Sequence, residues 1–362
     1  MAFESLEQIV QVCQEKSVSF AEAVILEDQN DRLVTREATM QQMQHIWESM
    51  LEAGRSYDEN RMSTSGLVGG DGGRMARYAE IGNTLCGDRM SRVIAQALQM
   101  GESNACMKRI VAAPTAGACG VLPAVLIPLF NESEAIHAQA ASQNEPSTPA
   151  QNDSKNSAAS HALPKSAHSA ASHALSESTQ SASSAKHHTA ETPVTGQNPA
   201  KDSSPTETDF VLSLFVAAGI GQVIATRASI AGASGGCQAE IGSASAMAAG
   251  ALVFLRGGSC DQISQAVAMS LKNLLGLVCD PVSGLVEVPC VKRNVIGAVN
   301  AMSAADMALA GIKSAIPADQ VIDAMKEVGD LMDVSLRETG RGGLAATKCA
   351  IEITKKIQGI SN

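Results

Sequence analysis

Residues 231–294 read AGASGGCQAEIGSASAMAAGALVFLRGGSCDQISQAVAMSLKNLLGLVCDPVSGLVEVPCVKRN, and the fold and chemistry of the chain turn on them. Three of the four cysteines stand at breaks in the backbone: Cys237 after Gly235 and Gly236, Cys279 before Asp280 and Pro281, and Cys290 after Pro289. Glycine lets backbone approach a bulky group and proline fixes φ, so each thiol is presented from a rigid corner, as a cluster ligand would be. Cys279 and Cys290 are 290 − 279 = 11 positions apart, and Cys237 lies 279 − 237 = 42 upstream. The chain has no Cys-x-x-Cys pair, which disfavours a structural zinc site, a ferredoxin-type cluster and a thioredoxin-like redox motif. Three separated thiolates suit an iron-sulfur cluster with one iron left open to a substrate oxygen. Read as packing alone, the same cysteines are small buried hydrophobes, and spacing leaves both readings open.

Composition narrows the setting. The chain has 362 residues, 45% hydrophobic and 18% charged, an ordinary balance for a globular protein with a large core. A net charge of −10 argues against a nucleic-acid partner, which needs a basic face. With aromatic residues at 2%, the core must be built from Ala, Val, Ile, Leu and Met on closely packed helices. The start, MAFESLEQIVQVCQEK, lacks the basic and apolar regions of a signal peptide, so a reducing cytoplasm is expected, where thiols serve metals or chemistry. The apolar runs 210–226 and 241–255 are too short and too often interrupted for membrane spans and are expected as buried core helices.

Along the chain the signals are helical. Ser19 with Glu22 predicts a capping box, and Thr35 caps a run whose Met43, Ile46, Trp47, Met50 and Leu51 recur at helical spacing. His45 lies on the opposite face and reads as a surface histidine. Ser63, Thr64 and Ser65 then precede a glycine-rich loop, Gly69 to Gly73, whose N–H groups and hydroxyls could meet a carboxylate or phosphate, or simply form a turn. It is not a P-loop, because no Lys-Ser/Thr follows the glycines. A helix is expected from Asp88. The apolar segment after it carries Pro114, Pro123 and Pro128 and must turn, exposing Thr115, with Gly120 allowing close approach and Cys119 packed.

From 131 to 209 small and polar residues dominate, predicting a disordered insertion between core helices. It holds six of the seven histidines, too irregularly spread for a metal tract. The expected division is therefore an N-terminal segment (residues 1–130), the insertion (131–209) and a C-terminal, thiol-bearing segment (210–362) of the same domain. Helices resume after 294. Pro317 opens one with Val321, Ile322, Met325, Val328 and Met332 facing inward, and Gly340, Gly342 and Gly343 form a turn or a wall of the site. No sustained period-2 alternation occurs, so the expected fold is predominantly α, with buried apolar helices and glycine-rich loops around the thiols.

The runs GGCQAEIGSASAMAA, LKNLLGLVCDPVSGLVEVPCVKRN, AAPTAGACGVLPAVL and RETGRGGLAAT resemble the alpha subunit of the bacterial iron-sulfur-dependent L-serine dehydratases, a likeness that covers nearly all of the chain except the insertion. The resemblance implies a [4Fe-4S] cluster on Cys237, Cys279 and Cys290, leaves Cys260 outside the motifs, and places Ser63, Thr64 and Ser65 at the active site to grip the substrate carboxylate. Thr115, Asn273 and Asn294 join them as substrate-binding candidates. It also implies conversion of L-serine to pyruvate and ammonia by way of aminoacrylate, with nothing like a pyridoxal phosphate site. The family's Ser-Ser-Ser-His stretch is absent here, so a separate beta subunit is expected to supply the base, with Lys272 and Lys292 the weaker candidates in this chain. Lys272, Asn273, Lys292, Arg293 and Asn294 flank the cysteine motifs and would suit a carboxylate or the cluster's negative charge. A cysteine desulfidase using the same cluster, or a non-enzymatic cluster-based sensor, is the alternative.

Overall fold

The computed structural model describes residues 3–143 and 204–360. Within them the chain forms thirteen α-helices. The N-terminal segment contributes α1 (Leu6–Lys16), α2 (Phe20–Arg32), α3 (Arg36–Arg55), α4 (Asp71–Glu80), α5 (Gly87–Ala105) and α6 (Val121–Gln143). After residue 204 come α7 (Glu207–Arg227), the short α8 (Gly232–Gly235), α9 (Ser243–Leu255), α10 (Cys260–Lys272), α11 (Cys290–Leu309), α12 (Ala318–Leu331) and α13 (Lys348–Ile357). The only bridge between extended segments among the described residues is an isolated parallel one, Cys279 with Arg337. The predominantly α expectation holds.

Local sequence accounts for the helix ends. Ser5, Ser19, Thr35, Ser259 and Thr347 sit in extended conformation at N-caps, each accepting a hydrogen bond from the third residue on. The Ser19 cap is only half the expected box, because the Glu22 carboxylate pairs with Arg36 instead of reaching back. Pro317 stands at the N-cap, one residue before the helix. The apolar stripe of α3 buries Trp47, Met50 and Leu51, while the His45 side chain is 74% exposed.

α9 is the centre of the molecule. It packs against α6, α7, α10 and α11, and all its residues but Phe254 are buried. Its run SASAMAAGALVFL presents mostly small side chains, so neighbouring helices approach closely without aromatic filler. The chain's few aromatic residues gather at one place: Trp47 of α3, Phe130 of α6 and Phe210 of α7 meet with ring centroids 5.2 to 5.5 Å apart. As folded, α7 is 21 residues long and helical residues 238–255 make 18, so both are long and apolar enough to cross a membrane by composition; the expectation that they are too short is corrected. Of their most apolar windows, 72% and 89% are buried inside the molecule, as core helices require.

The expected insertion boundary at Asn131 is also corrected. α6 runs on to Gln143, because Glu132 is held by Arg89 and Arg92 at 2.8 and 2.6 Å and the buried Ser133 donates to the Pro205 carbonyl. His137 Nε2 meets the Ser204 carbonyl at 3.2 Å, so the chain leaves and re-enters the domain side by side. The remainder of the expected insertion, 144–203, lies outside the described residues, together with His161, His168, His173, His187 and His188.

Candidate functional site

Cys237, Cys279 and Cys290 come together from three elements. Cys237 immediately precedes a π-helical turn, Gln238–Gly242, which runs straight into α9. Single π-turns inside helices recur at functional sites, since the extra residue re-aims side chains. Gly236, at φ 74°, sets up this corner, and a side chain there would meet the Met332 sulfur at 2.6 Å and the Leu277 carbonyl at 2.9 Å. Cys290 is the first residue of α11, directly after the cis Val288–Pro289 bond. Two of the three thiols therefore sit at helix starts.

Cys279 lies between them on the α10–α11 connection, residues 273–289, whose hairpin turn is closed by the Val282 N–H donating to the Val288 carbonyl at 2.8 Å, and it is tied to the C-terminal end of the chain. Its N–H donates to the Leu336 carbonyl at 2.8 Å, and its carbonyl accepts from Glu338 N–H at 2.7 Å. Next to it, Asp280 accepts from Arg293 at 2.8 Å and from the Leu344 N–H at 2.7 Å. Segment 336–344 is thus a wall of the site. Its Glu338 holds φ 63°, a left-handed conformation that a non-glycine residue adopts only where its surroundings enforce it.

The electrostatics identify the three thiols as one group. Cys237 and Cys279 are buried and Cys290 is partly exposed. Burial pushes Cys237 up to about 11, against the pull of the neighbouring Arg293 guanidinium. Burial and then Cys237 push Cys290 up to about 12, while burial, Cys237, Glu240, Glu338 and Cys290 raise Cys279. Burial thus holds all three thiols above the ordinary thiol value, with their mutual proximity adding to the effect at Cys279 and Cys290. Among the described residues no three His, Cys, Asp or Glu close on a point as a single metal ion requires. Thiols are the donor type that an iron-sulfur group takes. Cys119 is fully buried with its thiol toward the Met100 carbonyl, and Cys260 and Cys13 are free thiols in hydrogen-bond contact with each other.

Glu240 is the site residue that the sequence reading missed. It projects from the π-turn, accepts from the Thr115 hydroxyl at 2.7 Å, and among the described residues has no cation in ion-pair contact. A Cβ on Gly232 would lie 2.7 Å from Glu240 Oε2 and 3.0 Å from Cys279 Sγ, so the glycine leaves room for carboxylate and thiol side by side. Burial raises the Glu240 pKa, with Glu338 adding to the effect and Thr115 opposing it. A signal was present: Glu240 is the only charged residue between Arg227 and Arg256, and a lone charge in a buried run needs a reason.

The remaining candidates divide. Ser63 and Ser65 reach the hairpin, but both hydroxyls donate to the buried Glu287 carboxylate, Ser63 at 3.0 Å. A substrate carboxylate there would face a carboxylate, so these two serines fasten the loop, and Thr64 alone is exposed. The glycine-rich loop behind them does hold a carboxylate, but the chain's own: the buried Glu102 accepts from Asp71 N–H at 2.8 Å, Gly72 N–H at 3.2 Å and Tyr57 O–H at 2.6 Å. Asn294 is buried and fully engaged, accepting from Gly120 N–H at 2.8 Å and donating to the Gly117 and Cys290 carbonyls at 2.9 and 3.0 Å. It locks the Thr115 turn to the start of α11. Asn273 donates to Asn300 in a polar network with Ser245 and Ser270, and so braces α9, α10 and α11. Lys272 donates to Ser314 and the exposed Lys292 pairs with Asp71 at 3.0 Å, so neither reaches the thiols.

Three thiols and the Glu240 carboxylate thus lie in one region of an all-α domain, bordered by the hairpin and the C-terminal loop 336–344. The profile of the family described as serine dehydratase alpha chain matches residues 15–159 and 192–345. The chain belongs to that family. Among its relatives, the probable L-serine dehydratase alpha chain of Bacillus subtilis is 38% identical over 99% of this chain and 96% of its own length. The L-serine dehydratase alpha chain of Peptoniphilus asaccharolyticus is 34% identical over 96% of each. L-serine dehydratase 1 of Escherichia coli is 30% identical over 95% of this chain but only 61% of its own length.

Proposed function

We propose that the chain is the cluster-bearing half of an L-serine ammonia-lyase that converts L-serine to pyruvate and ammonia, with Cys237, Cys279 and Cys290 holding a [4Fe-4S] cluster. The observation that carries this reading is the convergence of three thiols and Glu240 on one walled space, in a chain whose full-length relatives are named L-serine dehydratases. When bound, the cluster supplies a Lewis acid for the substrate hydroxyl, which is otherwise a poor leaving group. The chain's own residues do the rest. Arg293, fixed by Asp280 and the Val278 carbonyl, offsets negative charge at Cys237. Glu240, whose pKa is raised by burial, keeps its proton to higher pH than an exposed carboxyl and gives it to the departing hydroxide as water. Thr115 orients that carboxyl. Segment 336–344 and the hairpin border the site.

The Cα proton needs a base, and among the described residues no histidine or lysine stands at the site to take it. Both described histidines are committed elsewhere, His45 beside Glu48 and His137 at Ser204, and Lys272 and Lys292 are paired away from the site. The base comes from a beta chain. The experiment is an anaerobic assay of the reconstituted chain, alone and with its beta chain, on L-serine and on L-cysteine. Pyruvate from L-serine by the pair but not by the chain alone is expected. Faster release of sulfide from L-cysteine would replace the proposed reaction with a desulfidase, and turnover by the chain alone would move the base into this chain.

A further inference from the structure

We propose that Cys13 and Cys260 form a redox-modification site, a thiol pair that a peroxide converts to a reversible disulfide between α1 and α10. The pair lies apart from Cys237, Cys279 and Cys290. Cys260 opens α10, and the connection that carries Cys279 leaves from the other end of that helix, after Lys272, about 18 Å along its axis. Packing brings the two thiols together. Leu6, Ile9 and Cys13 recur at helical spacing as the buried stripe of α1, and α1 packs against α10. Cys13 is 5% exposed, whereas Cys260 is partly exposed at the edge of the same core. The thiols are in hydrogen-bond contact, Cys13 donating to the Cys260 sulfur. The helix ends that present them are fixed: Ser259 and Gln262 make a reciprocal capping box at the start of α10, and the Cys13 carbonyl accepts from the Val18 N–H at 3.1 Å. Cys106 and Cys119 differ, their thiols pointing to the Arg61 and Met100 carbonyls at 3.6 and 3.7 Å.

Environment divides the roles. The hydrogen bond from Cys13, helped by the backbone at Phe20 and at Cys260 itself, lowers the Cys260 pKa against the effect of burial. The same hydrogen bond, and then burial, raises that of Cys13. An accessible thiol that ionises readily, beside a second thiol that resolves it, is the arrangement that peroxide oxidises reversibly. The Cys260 thiolate attacks one oxygen of hydrogen peroxide and the O–O bond breaks. A sulfenic acid forms on Cys260, and the departing hydroxide leaves as water with the proton that Cys260 gave up. The Cys13 sulfur then attacks the sulfenic sulfur: the S–S bond forms, the S–O bond breaks, and the oxygen leaves as water with the Cys13 proton. The two thiols lose two electrons in all, which reduce one peroxide to two waters, and an external thiol reverses the change. The disulfide joins positions 260 − 13 = 247 apart, so oxidation fastens the first helix to the core.

The test uses the full-length chain purified without oxygen and exposed to graded hydrogen peroxide. Free thiols are then capped with iodoacetamide under denaturing conditions, and the peptides are mapped by mass spectrometry before and after dithiothreitol. A peptide cross-linked through Cys13 and Cys260 that dithiothreitol releases is expected at lower peroxide than any oxidation of the exposed Cys86 and Cys349. In Cys13→Ser the oxidation should stop at the sulfenic acid, so that Cys260 takes up dimedone. In Cys260→Ser, Cys13 should take up at least tenfold less. Mapping the wild type needs no substitution, so a folding defect in Cys13→Ser leaves the test standing. Cys13 and Cys260 both recovered as capped thiols while Cys86 or Cys349 is oxidised would overturn the proposal. So would dimedone on Cys13 of Cys260→Ser at the level seen on Cys260 of Cys13→Ser, or a Cys260 disulfide to any cysteine other than Cys13.

Discussion

Glu240 sets the electrical character of the site. Its folded pKa is raised by burial, so the folded chain binds the proton more tightly than the unfolded chain does. The stability this group contributes is therefore complete below the ordinary carboxyl value of 4.5 and is lost as pH rises through the raised folded value. In cluster-free protein, Glu240→Gln should remove that loss, so the variant's melting temperature should gain on the wild type as pH rises from about 5 to 8. Thermal melts across this range check it, and a pH-independent difference between the two proteins would show that the carboxylate is solvated. In the reconstituted pair the same substitution should leave iron content intact and lower kcat by about 10²-fold or more. The thiols themselves were legible because glycine and proline mark the corners that present them. Glu240 and Glu287 were not, because each is a single charge in an apolar run whose partners lie far away in sequence: Thr115 for one, Ser63 and Ser65 for the other.

Asn294 shows how elements are coupled across the site. One amide ties the start of α11 to the turn between α5 and α6, making three hydrogen bonds to backbone. Asn294→Ala would leave the Gly120 N–H and Gly117 carbonyl without their partner, at a cost of roughly 1–3 kcal/mol for each buried group. The expected outcome is a chemical-denaturation stability lower by about 2–4 kcal/mol, together with poorer iron retention, because Cys290 lies on the same turn of helix. A loss below about 0.5 kcal/mol would mean that water replaces the amide. Helix existence and most starts could be read from capping residues and 3.6-residue periodicity, which are local. The roles of Asn273 and Asn294 could not, since nothing in the sequence says whether a buried amide faces a ligand or a neighbouring helix. The glycine-rich loop misled for a related reason: its N–H groups do take a carboxylate, but Glu102 supplies it from α5.

At the scale of the molecule, the N- and C-terminal segments close around α9 and are stitched together by the aromatic trio on α3, α6 and α7. Ser204 is paired with His137, and Gln143 lies six residues further along the same helix, so a bridge of roughly 9 Å rejoins the chain. Replacing 144–203 by a short Gly-Ser linker should leave the melting temperature within about 2 °C and iron content unchanged, because closure entropy varies slowly with loop length. Insoluble protein would show that this stretch packs on the domain. Composition did not reveal that 132–143 continues α6, since Glu, Ala and Gln there are good helix formers that contacts with α5 and with Pro205 recruit.

The central claim is that Cys237, Cys279 and Cys290 together hold an iron-sulfur cluster. It is tested most directly by measuring iron and acid-labile sulfide in chain purified without oxygen, in the wild type and in Cys237→Ser, Cys279→Ser, Cys290→Ser and Cys260→Ser. Equal amounts of iron and sulfide in the wild type and in Cys260→Ser, with both lost in each of the other three, is the predicted result. Iron and sulfide retained in any of those three, or zinc in place of iron in the wild type, would contradict it.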